Sequence, residues 1–195
     1  MIGTTVSILA SEHSTEEDEQ MCSIRAELKP AEREALLREL WVAHDGRWFL
    51  KAAEELGFNT ANRLNQAVIR SMGKKEAREF MTRSGAQVAN ASDFKRFLEM
   101  AGPLYWPEEH VWRIEILTDN LMTGRVLHCY VWENVSKAGG LSFYRCAAPI
   151  RFRGWLEGVG VPGEVTGSSE CDTCNGSCEI SFRFDWPAAK AEQRG

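Results

Sequence analysis

The sequence lacks an uninterrupted apolar run of about 18 residues, which is the length that a membrane-spanning helix requires. Residues 1–10 contain no Lys or Arg ahead of their short apolar stretch, unlike a secretory signal peptide. Long runs of Lys or Arg are also missing, and the net charge at pH 7 is -5, which argues against neutralisation of nucleic-acid phosphates. We therefore predict a cytoplasmic protein that binds neither membranes nor, directly, nucleic acids.

Catalytic motifs are equally scarce. The chain contains no nucleophile elbow, no H-E-x-x-H motif and no pair of carboxylates with catalytic spacing. Gly73 is followed by two lysines but lacks the upstream glycine of a phosphate-binding P-loop. We therefore expect a binding protein rather than an enzyme, with a hydrolase as the enzymatic alternative.

The composition is that of a globular protein: 44% of the 195 residues are apolar and 26% are charged. We predict one α+β domain over residues 21–186, preceded by a flexible acidic leader at 1–20 and followed by a frayed tail at 187–195. Seven tryptophans exceed what a surface needs, so several should line a core or a ligand pocket. A homodimer is compatible with these features.

Hydrophobic periodicity divides the domain into a helical part at 30–101 and a sheet-rich part at 107–186. The first helix should begin at Pro30 and end before Gly57, with an apolar stripe at spacings of three and four: Leu37, Leu40, Trp41, His44, Trp48, Ala52 and Leu56. A second helix should end at Gly73, a third should cover about 75–88, and Ser92 should cap a fourth.

After Pro107 the period changes to two. Apolar alternation predicts one strand at 112–116, a turn in the segment TDNLMTG and a returning strand at 126–132. Residues 150–161 should form a short helix that glycines end. Cys178, Ile180 and Phe182 share one face of a last strand. The sequence thus predicts N-terminal helices packed on an antiparallel sheet, with a Cys-rich loop before the last strand.

That loop lies in the segment SSECDTCNGSCEISFRF at 168–184, where Cys171, Cys174 and Cys178 stand close together. Because cysteines in a reducing compartment more often bind metal than form structural disulfides, we expect a metal site. A tetrahedral zinc site needs a fourth ligand, for which Cys146 is the first candidate and His128 and Cys129 are substitutes.

The two segments CAAPIRFRGWLEGVG and EVTGSSECDTCNGSCEISFRF resemble the C-terminal signature of the 4-vinyl-reductase-type ligand-binding domain. Phenol-sensing members of that family hold a structural zinc with a cysteine, a glutamate and two more cysteines, beside an effector pocket. The resemblance implies that Cys146 is the first ligand, that Cys171 stands where the glutamate does, and that Cys174 and Cys178 are the last two.

Two other interpretations of the cysteines remain open. Cys171-x2-Cys174 could be a reactive dithiol, although that motif normally opens a helix and here precedes a strand. Four thiolates could also bind an iron-sulfur cluster. A redox or iron-sulfur accessory protein is therefore a second alternative function.

The segment ELWVAHDGRWFLKAAEELGFNTANRLNQAV is similar to bacterial cytosolic proteins of unknown function that are distantly related to a hydrolase of a cyclic thiazoline amino acid. The resemblance implies a hydrolase of cyclic amides or thiazolines as the first alternative. His44 and Asp45 are the candidate acid and base, because His44 falls on the apolar stripe and an adjacent acid could orient it.

The main prediction is a zinc-stabilised small-molecule-binding domain, acting as a sensor or carrier for a small apolar or aromatic ligand. The residues expected at an aromatic-lined pocket are His44, Trp48, Trp112, Trp132 and Trp155.

Overall fold

The computed structural model describes residues 28–167 and 174–186. The predicted leader at 1–20, the tail at 187–195 and Cys171 lie outside these ranges. The described ranges contain five helices, α1 (Pro30–Leu56), α2 (Phe58–Ser84), α3 (Ala91–Tyr105), α4 (Tyr130–Lys137) and α5 (Ala148–Val159). They also contain four strands, β1 (Val111–Thr118), β2 (Leu121–His128), β3 (Gly163–Gly167) and β4 (Cys178–Phe184).

The predicted α+β class is confirmed. The four strands form one antiparallel sheet in the order β1-β2-β4-β3, with β4 between β2 and β3. Helices α3 and α5 pack on this sheet through aromatic rings: Phe94 of α3 and Phe152 of α5 both contact Phe182 of β4, at centroid distances of 5.7 and 5.4 Å. As predicted, Ile180 and Phe182 are buried on one face of the last strand, and the main core lies there.

The predicted hairpin is confirmed for β1 and β2, but the second strand is shorter at its C-terminal end than the alternation predicts. Strand β2 ends at His128, and Tyr130–Lys137 is helical although Tyr130 and Trp132 continue the period of two. The backbone N–H of Trp132 donates to the Cys129 sulfur at 3.4 Å, which caps the first turn of α4. A local cap therefore overrides the strand pattern at this point.

Helix α2 was predicted to end at Gly73, but it continues to Ser84. Gly73 lies inside the helix because α5 crosses it there: a Cβ atom at Gly73 would stand 2.6 Å from the carbonyl oxygen of Arg151. This glycine permits close packing of two helices and does not terminate one. The cap of α3 also differs from the prediction, since Asn90, and not Ser92, accepts the N–H of Asp93 at 2.9 Å.

Helix α1 is continuous through Gly46, but its buried face is not the predicted stripe. Phe49 and Ala53 are the buried residues, and they pack with Ala61 of α2. By contrast, Trp41 is 54% exposed and Trp48 is 46% exposed. Large apolar residues recur at helical spacing on both faces of this helix, so periodicity alone did not identify the face that packs.

Chain contacts divide the protein into two compact units, Met1–Leu37 and Arg38–Gly195. The first unit contributes the beginning of α1 to the described residues, and the second contains the sheet and the other helices. The prediction of a single domain over 21–186 stays a prediction. None of the helices in the described ranges combines the length and the apolar character that a membrane crossing requires.

Candidate ligand cavity and cysteine cluster

A cavity of about 430 Å³ lies in the second unit and is lined by parts of α1, α2, α3 and α4, the segment between α3 and β1, the segment before α5, and the start of α5. Its walls are mainly apolar and aromatic. The aromatic lining residues are Trp41, Phe49, Tyr105, Trp106, Tyr130, Phe143 and Tyr144. This size and character suit a small organic ligand, for which a few polar groups would provide orientation.

The main charged group inside the cavity is Arg151, whose side chain is only 14% exposed. Its guanidinium lies 3.6 Å from Glu76, a buried carboxylate of α2 that is 6% exposed. Glu76 in turn accepts a hydrogen bond from the indole N–H of Trp155 at 2.8 Å. The ion pair with the buried Glu76 therefore fixes the position of the Arg151 guanidinium in the cavity wall.

Asp45 of α1 also lines the cavity. Burial raises the pKa of its carboxyl, and the nearby Arg151 and His44 partly oppose this shift. His44 itself is exposed, stacks on Trp41 at a centroid distance of 6.1 Å, and is not among the lining residues. Of the two residues predicted for acid-base chemistry, the structure brings only Asp45 to the cavity, and the hydrolase alternative stays a prediction.

Two other titratable residues of the lining are uncharged near neutral pH. Burial, reinforced by Glu76, raises the pKa of Tyr105 to about 12, and the Arg151 guanidinium lies 5.9 Å from the centre of its ring. Burial, with a smaller contribution from His128, lowers the pKa of His110 to about 4. The His110 ring stacks on Trp106 at 5.2 Å, and its buried Nδ1 has no hydrogen-bond partner among the described residues.

Four cysteines from separate parts of the fold gather beside this cavity. Cys129 precedes α4, Cys146 lies just before α5, Cys174 is in the turn before β4, and Cys178 is the first residue of β4. Cys129 and Cys146 line the cavity itself.

The four thiols lie close enough together that neighbouring cysteines affect the pKa of Cys129 and Cys178. Burial raises the pKa of the Cys178 thiol to about 12, and the charges of Cys146, Cys129 and Cys174 add to that shift. Burial likewise raises the pKa of Cys129 to about 11, with added effects of Cys146 and Cys174, while the N–H of Trp132 opposes the shift. The sequence predicted Cys146, Cys174 and Cys178 as ligands and named Cys129 as a substitute, and the structure places Cys129 near the other three.

The described sulfurs do not by themselves form a closed metal site. Within 28–167 and 174–186, no three or more His, Cys, Asp or Glu side chains are grouped so as to hold a metal ion. Cys171, one of the four predicted ligands, lies outside these ranges.

The turn that carries Cys174 is tied to the rest of the sheet. Asn175 and Gly176 both have positive φ, 48° and 76°, as in a type I′ turn, and the N–H of Ser177 donates to the Cys174 carbonyl at 2.8 Å. The Ser177 hydroxyl donates to the Val126 carbonyl of β2 at 2.9 Å. The ring of Trp132 covers the turn, because a Cβ atom at Gly176 would stand 3.1 Å from it.

Asn62 positions the segment that leads to Cys146. This buried side chain of α2 donates to the Phe143 carbonyl at 2.7 Å and accepts the backbone N–H of Arg145 at 2.8 Å. Phe143 and Tyr144 are part of the cavity wall. One amide thus holds both an aromatic wall and the approach to a cysteine of the cluster.

Replacing Asn62 with Ala should lower the free energy of unfolding by about 2–3 kcal/mol, because two partly buried backbone groups lose their partner. Asn134→Ala is the matched control, since that exposed amide donates to the Tyr130 carbonyl one turn away, and it should change stability by less than about 0.5 kcal/mol. Urea denaturation of the three proteins provides the comparison. Equal stability of the two variants would contradict the positioning role of Asn62.

The predicted pocket residues lie elsewhere than in the cavity lining. Trp155 is fully buried in the main core, and Trp112 packs against that core beside Trp106 and Phe152. Trp48 is exposed. Trp132 covers the turn before β4, next to the cysteines. The cavity instead uses Trp41 and Trp106.

The pocket residues predicted from the sequence do not include Glu76, Asn62, Tyr105 or Arg151. A detectable signal existed for Asn62 and Asn65, two amides on the apolar side of α2 where small or apolar residues are expected. Nothing comparable distinguishes Glu76 from Glu79, the other acid of that helix. In comparisons with known proteins, no family model and no curated protein matches this chain.

Proposed function

We propose that this chain is a zinc-stabilised small-molecule-binding domain, of the kind that serves as a sensor or carrier, with the aromatic-lined cavity as its ligand site. The observation that carries the proposal is the convergence of Cys129, Cys146, Cys174 and Cys178 next to that cavity. Thiols brought together from separate parts of a fold form a candidate metal-binding site, because cysteine sulfur is a common ligand of structural zinc.

The chemistry of these donors suits zinc. Burial and the neighbouring cysteines raise the pKa of the Cys129 and Cys178 thiols, so both are protonated near neutral pH, and a divalent cation reverses that balance because it stabilises the thiolate. We propose Cys146, Cys174 and Cys178 as three ligands and Cys171 as the fourth, with Cys129 as the alternative. Bound zinc supplies a cross-link between these thiolates.

Such a cross-link would brace the cavity. Cys146 leads into α5, which carries Arg151, and Cys178 begins β4 in the middle of the sheet. An ion that joins them would fix the start of α5 against the sheet. The cavity wall formed by residues 143–151 would then keep its shape without ligand, which lowers the entropic cost of binding.

The proposal predicts about one zinc per chain in full-length protein purified without chelators, and loss of that zinc in Cys178→Ser. Elemental analysis gives the stoichiometry, and the intensity of sulfur-to-cobalt charge transfer after Co²⁺ substitution reports the number of thiolates. Cys171→Ser and Cys129→Ser serve as controls for each other: the variant that loses zinc identifies the fourth ligand.

Metal-free wild-type protein, or stoichiometric zinc in Cys178→Ser, would refute the zinc site. Iron with visible absorbance would instead support the iron-sulfur alternative. Circular dichroism of each variant shows whether loss of metal also unfolds the chain, as expected when binding energy contributes to folding.

A further inference from the structure

We infer that the cavity takes a small aromatic or similarly flat apolar molecule that carries one cationic nitrogen, and that Asp45 is the counter-ion of that nitrogen. The inference rests on the proposed function, since it names the ligand class of the same cavity. It is carried by the balance of charge in the wall and by the aromatic character of the lining.

The charges of Asp45, Arg151 and Glu76, the last of which lies behind the cavity wall, do not cancel. Arg151 faces two carboxylates, because its guanidinium pairs with the buried Glu76 at 3.6 Å and also lies close enough to Asp45 to affect its ionisation. Glu76 does not line the cavity, whereas Asp45 does. With all three groups ionised, one negative charge is left over, and it is on the side that a ligand can reach.

Among the lining residues that the structure describes, no other side chain offsets this charge. Glu39 and Arg47 are exposed and opposite in sign, so they cancel each other and are screened by solvent. His110 is neutral near pH 7, since its pKa is about 4. An ammonium or amidinium group beside Asp45 would restore neutrality and would compensate for the burial of the carboxylate.

An anionic ligand is disfavoured for the same reason. A carboxylate would have to bind Arg151, whose charge Glu76 already neutralises, and it would place a third negative charge near Asp45. The aromatic walls point in the same direction, because ring faces attract cations and repel anions. Phe49, Tyr105, Trp106, Phe143 and Tyr144 supply such rings.

Three probes of similar shape test the inference: benzylamine, benzyl alcohol and benzoate. Each is titrated into the zinc-containing full-length protein at pH 7.5, a condition chosen so that the amine is cationic and benzoate is anionic, and binding is followed by tryptophan fluorescence, since Trp41 and Trp106 line the cavity. We expect benzylamine to bind at least about tenfold more tightly than benzyl alcohol, and benzoate to bind most weakly.

Asp45→Asn should abolish the preference for the amine and leave the affinity for benzyl alcohol unchanged. Glu39→Gln removes an exposed acid of the same lining and should keep the preference. Asp45→Glu, which retains the charge, should restore at least part of it. Melting temperatures of the variants show that each is folded.

The outcomes separate the two proposals. If benzyl alcohol or benzoate binds as tightly as benzylamine, or if Asp45→Asn keeps the preference, the cationic ligand is excluded while a ligand-binding cavity stands. If Glu39→Gln and Asp45→Asn reduce the preference for benzylamine equally, Asp45 is not the specific counter-ion. If none of the three probes binds at millimolar concentration, both the ligand class and the small-molecule-binding function fail.

Discussion

Replacing Gly154 with Ala is expected to lower the free energy of unfolding by about 3 kcal/mol, because the added methyl group has no room. Gly154 lies in α5 where it crosses α2, and a Cβ atom there would overlap the carbonyl oxygen of Arg70 and stand 3.0 Å from the amide of Lys74. Both obstacles are helix backbone, which cannot move aside as a flexible side chain would. The helices must separate, and the side chains that α5 delivers to the cavity move with it.

Gly46→Ala is the matched control for this prediction. Gly46 is also in the interior of a helix, but nothing lies within 4 Å of a Cβ atom at that position. The alanine should therefore raise stability by about 0.5–1 kcal/mol through its better helix propensity. Chemical denaturation measures both changes. A neutral or stabilising Gly154→Ala would show that α2 and α5 are not packed as closely as described.

Trp155→Ala should lower the free energy of unfolding by about 3–5 kcal/mol, which makes it the most destabilising single truncation that we predict. The side chain is fully buried, and its ring contacts Phe97, Trp106 and Phe152 at centroid distances of 5.4–5.5 Å. Its N–H is also a hydrogen-bond donor to the buried Glu76. The truncation removes a large volume from the core and one support of the Arg151 ion pair at once.

Trp155→Phe separates these two effects, because it keeps an aromatic ring and removes the N–H. It should cost about 1–3 kcal/mol for the lost bond to a buried carboxylate, plus a smaller term for the lost volume. Equilibrium unfolding of the alanine, phenylalanine and wild-type proteins gives both values. If Trp155→Phe were as stable as wild type, the bond to Glu76 would be irrelevant to the fold.

Much of the fold is predictable from local pattern. Helix α1 and strands β1 and β4 were predicted from the spacing of their apolar residues, and helix α5 was predicted as a short helix ended by glycines. The errors occur where a distant contact or a local cap decides the structure. Gly73 has the pattern of a helix end, yet the carbonyl of Arg151, 78 positions later, explains why glycine is required there. Strand β2 ends at His128 because Cys129 caps a helix.

The candidate site likewise has a part that the sequence predicts and a part that distant contacts decide. Cys174 and Cys178 are close in sequence, so their proximity could be predicted, and Cys146 followed from the pattern before α5. The ion pair of Arg151 with Glu76 joins residues 75 positions apart on two helices. Only the crossing angle and register of those helices bring them together, and neither is encoded in a short motif. The four tryptophans predicted at the pocket lie outside the cavity lining for a related reason, since a large apolar ring suits a core and a cavity equally well.

Helix α5 carries consequences beyond its own packing. The Cys146 thiol stands just before its first turn, and the Arg151 guanidinium projects from that turn into the cavity, five positions further along the chain. The same helix is clamped at Gly154 and Gly158 against the backbone of α2. A displacement of the sulfur cluster therefore cannot be absorbed by side-chain adjustment on the way. We expect it to move α5 as a unit and so to shift the Arg151 guanidinium in the cavity lining.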